Sequence, residues 1–199
     1  MIKYWLVGLI LFFSLTISSF GQGTSFHGGF VSSDVTFFVD TATIQTSKRV
    51  GAMIGIDHEI RLAENLYQVI GLEYFPRGYR VKSDTVDSFI TRIDYLNIPL
   101  SLRYKFDLED IWMTFEAGPY IGFALYGRTK SDQGIVRYEF GNEEGDLKRL
   151  DLGLKLGYTV EIEQVRLGIS YNTGFLNVSA SRSETLKLRA FVFSVGLLL

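Results

Sequence analysis

The chain has 199 residues, 47% apolar, 15% aromatic and 21% charged, a composition that excludes disorder and suits one domain. A formal charge of −2 gives no electrostatic case for nucleic acid as a partner. The absence of cysteine removes disulfides, thiolate catalysis and cysteine metal sites together, and 20 glycines against 3 prolines favour long strands.

Residues 1–21 read as a separate object. Lys3 supplies a positive start, and Tyr4 through Ile17 form an apolar stretch interrupted only by Gly8, Ser14 and Thr16. Ser19 and Gly21 then place small residues on either side of Phe20, ahead of a cut before Gln22. This is the anatomy of a secretory signal peptide, and it leaves 22–199 as one domain. No later run is long and apolar enough for a helical span.

Eight strands are predicted in the remainder, at 24–33, 49–61, 66–78, 92–106, 111–127, 149–162, 164–176 and 187–199. The first alternates poorly through Phe26, Gly28, Gly29, Phe30 and Val31, where glycines suit a tight closure. The second sets Val50, Ala52, Ile54, Ile56 and Ile60 against Gly51, Gly55, Asp57, Glu59 and Arg61. The fourth sets Leu96, Ile98, Leu100, Leu102, Tyr104 and Phe106 against Asn97, Ser101, Arg103 and Lys105. The fifth sets Met113, Phe115, Ile121, Phe123 and Leu125 against Thr114, Glu116, Gly118 and Gly122.

The sixth strand is the cleanest. Leu150, Leu152, Leu154, Leu156, Tyr158, Val160 and Ile162 alternate with Asp151, Gly153, Lys155, Gly157, Thr159 and Glu161. The seventh and eighth repeat the rhythm, with Val165, Leu167, Ile169 and Tyr171 against Arg166, Gly168, Ser170 and Asn172, and Phe191, Phe193, Val195 and Leu197 against Ala190, Ser194 and Gly196. Successive strand side chains point to opposite faces. Each segment therefore has one greasy face and one charged or tiny face, which suits an antiparallel up-and-down barrel with lipid outside and a polar lumen. A soluble lipocalin-like barrel would need the reverse.

The connections alternate in length. Short turns near Ala63–Asn65, Asp107–Asp110 and Glu163 contrast with longer segments at 34–48, 79–91, 128–148 and 177–186. Short periplasmic turns and long external loops have this arrangement, placing both termini in the periplasm.

By parity the lumen receives the acids Asp57, Glu59, Glu73, Glu116, Asp151 and Glu161 and the bases Arg61, Arg77, Arg103, Lys105, Lys155 and Arg166. Matched charges are what a closed interior needs, because an unpaired buried charge is very costly. An eight-stranded barrel is just wide enough for its own side chains, so a plugged, salt-bridged lumen is expected. Inward glycines at 55, 71, 118, 122, 153, 157, 168 and 196 are expected to admit the long arginine and lysine stems. Tyr74, Tyr79, Tyr104, Phe106, Tyr126, Tyr171 and Phe175, near strand ends, read as interfacial aromatic girdles.

The stretches Tyr95-Leu96-Asn97-Ile98-Pro99-Leu100 and Glu116-Ala117-Gly118-Pro119-Tyr120-Ile121-Gly122 carry a family likeness, with Leu72-Glu73-Tyr74 and Leu167-Gly168-Ile169-Ser170-Tyr171-Asn172 beside them. On these the chain resembles the PorT-like group of Bacteroidetes outer-membrane β-barrels, small porin-family proteins of the OmpA/OmpX type. The resemblance implies an eight-stranded barrel in the outer membrane of a Gram-negative cell, in contact with its lipid and lipopolysaccharide.

Chemistry is sparse. His27 and His58 have no serine and carboxylate partner placed by the strand pattern, and no GxGxxG, P-loop or HExxH run occurs. Asp107, Glu109 and Asp110 lack EF-hand spacing and read as a solvated turn. No catalytic residue, cofactor or metal is assigned. The expected role is non-enzymatic, exerted by the external loops or within an envelope or secretion assembly. A passive conduit for small or hydrophobic solutes and a lipid-modifying enzyme are the alternatives.

Overall fold

A computed structural model describes residues 23–39, 42–44, 46–81, 88–131, 134–141, 143, 146–181 and 184–199. The signal segment expected at 1–21 lies outside the described residues. Among the described residues ten strands follow in chain order: β1 (Thr24–Val39), β2 (Ala42–Ile44), β3 (Ser47–Arg61), β4 (Leu66–Val81), β5 (Phe89–Leu108), β6 (Ile111–Ser131), β7 (Gly134–Arg137), β8 (Leu150–Ile162), β9 (Val165–Gly174) and β10 (Glu184–Leu198).

Eight of them form a closed antiparallel barrel in the order β1-β3-β4-β5-β6-β8-β9-β10, while β2 extends β1 and β7 extends β6. Closure runs from Ser25↔Leu198 to Val39↔Glu184 along β1 and β10. In the poorly alternating first strand, Gly29 is required by this seam. A Cβ at Gly29 would clash with the Phe193 carbonyl oxygen and stand 2.8 Å from Ser194 Cα, so the two backbones approach too closely for any side chain.

The barrel has a turn end and a loop end. At the turn end, Glu109 (φ 60°) and Glu163 (φ 52°) take left-handed backbone in the β5–β6 and β8–β9 turns, a conformation that strains a side-chain-bearing residue by about 1 kcal/mol. Both chain ends of the barrel lie here as well, with the Leu199 amide donating to the Thr24 carbonyl. At the loop end the strands outrun their predicted limits. The segments read as loops at 34–48, 79–91, 128–148 and 177–186 hold the ends of β1, β4, β5 and β6, the start of β10, and the whole of β2 and β7. Polar residues there continue the ladders because, beyond the greasy band, a strand needs only hydrogen bonds and an apolar inner face.

Two irregularities re-aim side chains. Between Lys48↔Tyr79 and Ile54↔Tyr74, five residues of β3 face four of β4. Between Asp94↔Tyr126 and Tyr95↔Ala124, β6 carries Leu125 as an extra residue, so that outward parity passes from odd to even positions beyond it.

The outer wall is apolar. Ile54 is 66% exposed, Phe30 64% and Phe193 49%, with Leu72, Leu102, Phe115, Phe123, Leu167, Ile169 and Val195 beside them. The interior at the loop end is apolar too, packed with Val31, Val35, Phe75, Ile93, Tyr95, Leu186, Leu188 and Val192 and capped by Leu147 and Val178. Tyr79, expected in the girdle, is buried in this inner cluster with its ring against Phe89, 6.2 Å between centroids. Its parity on β4 matches that of inward Phe75 and Arg77. The other girdle aromatics, Tyr74, Tyr104, Phe106, Tyr126, Tyr171 and Phe175, lie at the surface or half-buried. Tyr104, Phe106, Phe115 and Tyr158 form a chain of edge and tilted ring contacts around the turn end.

Candidate functional site

The turn-end half of the bore is filled with charge. Arg103, on β5 and 2% exposed, is at the centre. Its Nη1 donates to Glu59 Oε1, and its Nη2 donates to Glu116 Oε2 at 2.5 Å and lies 3.5 Å from Asp57 Oδ2. Arg166 on β9 reaches across to the same acids. Its Nη2 donates to Glu59, its Nε donates to Glu161 Oε1 at 2.8 Å, and its Nη1 lies 3.3 Å from Asp57 Oδ1. Lys105 Nζ bridges Glu59 Oε2 (2.7 Å) and Glu161 Oε2 (3.1 Å) nearest the turn end, over the Tyr67 ring. Lys155 Nζ bridges Glu73 Oε1 (3.0 Å) and Glu116 Oε1 (3.2 Å) on the side toward the middle of the bore.

The cluster thus holds five acids, Asp57, Glu59, Glu73, Glu116 and Glu161, against four bases, Arg103, Lys105, Lys155 and Arg166. Asp57, Glu59, Glu116 and Glu161 each face two or three cations, and Glu73 faces Lys155 and the His27 ring, so the arrangement is a lattice of shared bonds. Burying ions in this way is tolerable only when nearly every lone pair and proton is used.

His27 is the group that the strand pattern left without partners. Its Nδ1 lies 3.8 Å from Asp57 Oδ2 and its Nε2 3.6 Å from Glu73 Oε1. Ser25, two residues earlier on the same face of β1, donates to Asp57 Oδ1 at 2.5 Å. His58 is on the outer face, 3.0 Å from Thr24 Oγ1 through its Nδ1.

Arg77 and Asp151 are separate from the cluster. Both are 0% exposed, paired at 2.5 Å, with Tyr120 Oη 2.9 Å from each. The Arg77 guanidinium also lies over the rings of Phe75 (4.8 Å), Tyr95 (5.3 Å) and Tyr120 (4.7 Å). A planar, weakly hydrated cation with one carboxylate and three rings is the arrangement for which arginine is suited and lysine is not. This pair marks the boundary between the charged half and the apolar half.

Eleven of the twelve predicted lumen charges lie in these two groups, and Arg61 does not. It is exposed at the mouth of the turn end, donating to the Ala63 and Glu64 carbonyls of its own turn. Parity aims it inward, but it is the last residue of β3, and the bore ends before its side chain begins. The inward glycines make room for other groups than the stems expected. A Cβ at Gly55 would stand 2.6 Å from His27 Nε2, one at Gly153 would clash with the Tyr120 hydroxyl and ring, and one at Gly71 would stand 2.9 Å from Pro99 Cγ. At Gly196 alone of the eight is an arginine stem close, with Arg166 Cβ at 3.7 Å.

A cavity of about 40 Å³ remains beside His27, lined by Asp57, Glu73, Lys155, Ser170 and Ser194. That holds about two or three waters and no organic ligand. Among the described residues no group of His, Cys, Asp and Glu is placed to hold a metal ion.

The architecture is that of known outer-membrane barrels. OprG from Pseudomonas aeruginosa superposes with a TM-score of 0.50 at 13% identity, over 89% of this chain and 96% of that one. Ail of Yersinia pestis, crystallised with the heparin analogue sucrose octasulfate, gives 0.47 at 13% identity over 88% and 98%. Neisserial surface protein A gives 0.47 at 12% identity over 89% and 98%. At such identities the likeness to OprG speaks for the fold alone. No curated protein matches the chain in sequence. The family model described as outer membrane protein beta-barrel domain matches residues 20–180, and the chain belongs to that family.

Proposed function

We propose that this protein is a non-enzymatic outer-membrane barrel whose bore is closed by its own side chains and whose work is done at its loop end. The observation that carries the reading is the continuous filling of the interior. Arg103, Arg166, Lys105 and Lys155 with their acids occupy one half, Arg77–Asp151–Tyr120 the middle, and the Phe75, Ile93, Tyr95 and Leu188 cluster the other half. A conduit would need an open file of polar groups along the axis, and a buried ion lattice resists rearrangement because each broken pair strands a charge.

With residues 1–21 removed on export as a signal peptide and 22–199 inserted as the barrel domain, the termini and short turns face the periplasm and the loop end faces outward. The chain then contacts outer-membrane lipid and lipopolysaccharide around its wall. It meets an envelope or secretion partner through the surface formed by 34–48, 79–91, 128–148 and 177–186. The PorT-like group is the subgroup we assign within the family, on the two proline-containing motifs of β5 and β6. Planar-bilayer recording of the purified barrel tests the closed bore. No stable conductance is expected, and sustained unitary steps would replace this reading with the solute conduit.

A further inference from the structure

Four arginines form a row across the outer wall at the loop end. The ladder pairs Arg92 of β5 directly with Arg128 of β6, and Arg128 directly with Arg137 of β7. On the other side of Arg92 the ladder partner is Gly78 of β4. Arg49 of β3 crosses that gap, since a Cβ at Gly78 would lie 3.0 Å from Arg49 Cδ. The Arg49 charge couples to those of Arg92, Asp94 and Arg128, and its Nη1 is buried with no hydrogen-bond partner among the described residues.

Like charges directly opposite each other on one face of a sheet destabilise it. Among the described residues the row has one carboxylate in ion-pair contact, Asp94, which accepts from Arg92 Nε at 2.6 Å. Arg92 Nη2 donates to Tyr74 Oη at 2.7 Å, so this guanidinium is held by two fixed partners. Arg137 lies over the Tyr126 ring at 5.9 Å. Arg49, Arg128 and Arg137 have no carboxylate within ion-pair distance among the described residues. The next row outward adds Arg80 and Lys130, on either side of Ile90. Among the described residues the cationic excess has no other carboxylate in ion-pair contact.

The depth of the row indicates its counter-ion. Directly below it on the same face are Pro76, Asp94 and Tyr126, and below them Tyr74, Leu96 and Phe123, where the greasy band begins. At about 3.4 Å per residue, Arg92 stands about 14 Å along the strand from Leu96, which a tilt of about 40° makes about 10 Å in height, at the headgroups. The row runs over the five neighbouring strands β3 to β7, about 19 Å, wide enough for more than one phosphate.

We propose that Arg49, Arg92, Arg128 and Arg137 bind the phosphates of a phosphorylated glycolipid of the outer leaflet, of the lipid A type. Planar guanidinium groups match phosphate oxygens in pairs, and the acyl chains of the same molecule lie along the apolar wall below. The assignment rests on the loop end facing the outer leaflet, as proposed above.

The test uses the full barrel in mixed micelles with labelled diphosphorylated lipid A. Replacing two arginines, Arg128→Gln with Arg137→Gln, is expected to weaken binding at least about tenfold, the loss of charge-assisted hydrogen bonds. Lys187→Gln, an exposed cation on β10 at the loop end but away from the row, is expected to leave binding unchanged. Dephosphorylated lipid A should bind the parent chain as weakly as the double variant binds the intact lipid. Equal loss in Lys187→Gln, or no preference for the phosphorylated lipid, would overturn the site. Complete displacement of the lipid by millimolar inorganic phosphate would overturn the lipid as its occupant. Gel mobility before and after heating reports that each variant is folded, and Arg137→Gln alone, on β7 outside the closed barrel, retains the test if the pair fails to fold. Orientation is read separately by labelling Val136→Cys on intact cells with an impermeant maleimide. Labelling supports the outward loop end. Its absence overturns that reading and the lipid A occupant with it, while the micelle affinities still report whether the row recognises phosphate.

Discussion

The two halves of the barrel are built on opposite plans, although the same strands run through both. Toward the turn end, β5 points Leu96, Leu100 and Leu102 outward and Asn97, Ser101, Arg103 and Lys105 inward. Toward the loop end the same strand points Arg92 and Asp94 outward and Tyr95, Ile93 and Thr91 inward. On β4, Ile70 and Leu72 give way to Arg80 outside, while Glu73 gives way to Phe75, Tyr79 and Val81 inside. The turn-end half is a membrane barrel, greasy outside and charged within. The loop-end half is a soluble barrel, charged outside and greasy within. The inversion needs no break in the sheet, and the place where it occurs marks the edge of the lipid.

The halves should therefore fail differently. The largest effect is expected in the charged half. Arg103→Met removes the cation shared by Glu59, Glu116 and Asp57 and leaves the buried cluster with five acids against three bases, and loss of a buried ion-pair partner costs about 3–5 kcal/mol. Urea unfolding in lipid vesicles, followed by tryptophan fluorescence, measures it. In the apolar half, Leu188→Ala removes a side chain that is 0% exposed beneath the cap formed by Leu147 and Val178. A loss of about 2–3 kcal/mol is expected there, near the low end for such truncations because cap residues can settle into the space. Should Leu188→Ala prove the more damaging, the ion lattice would not be the dominant tie in the bore.

Coupling sharpens the comparison further. Glu116→Gln and Lys155→Met remove two sides of one contact, so their effects should be non-additive by about 1–3 kcal/mol in a double-mutant cycle. Glu116→Gln with Leu188→Ala joins the two halves and should be additive within about 0.5 kcal/mol. Strong coupling across the halves would show that Arg77–Asp151, at the boundary, transmits strain between them.

The sequence made the turn-end half legible and the loop-end half much less so. Period-two alternation in β8 and β9 needs no knowledge of neighbours, and it placed Asp151, Lys155, Glu161 and Arg166 on one face. Reading every strand as greasy-out then misplaces Tyr79, because beyond the lipid edge the sign of the pattern reverses while its period does not. The arginine row escapes a linear reading for a related reason. Arg49, Arg92, Arg128 and Arg137 are scattered over four strands, and pair registers and a β6 bulge bring them level. A signal was present in Arg92, which shares the outward parity of Leu96 and Leu100, whereas Arg49 shares the parity of inward Asp57, and Arg128 and Arg137 fall in the segment read as a loop. His27 was missed because a lone histidine in a glycine-rich strand has no periodic neighbours, and its carboxylates come from β3 and β4.

The smallest expected effect tests where the bore ends. Arg61 shares the inward parity of Asp57 and Glu59, and if parity alone decided, Arg61→Ala would disturb the lattice as Arg103→Met does. Its guanidinium instead bonds the carbonyls of Ala63 and Glu64 in water at the mouth. Exposed bonds of this kind exchange with solvent at little net gain, so Arg61→Ala should change unfolding free energy by no more than about 0.5 kcal/mol in the same urea assay. A loss approaching that of Arg103→Met would mean that the side chain folds back into the lumen in the membrane, where it would supply the lattice of five acids with a further cation.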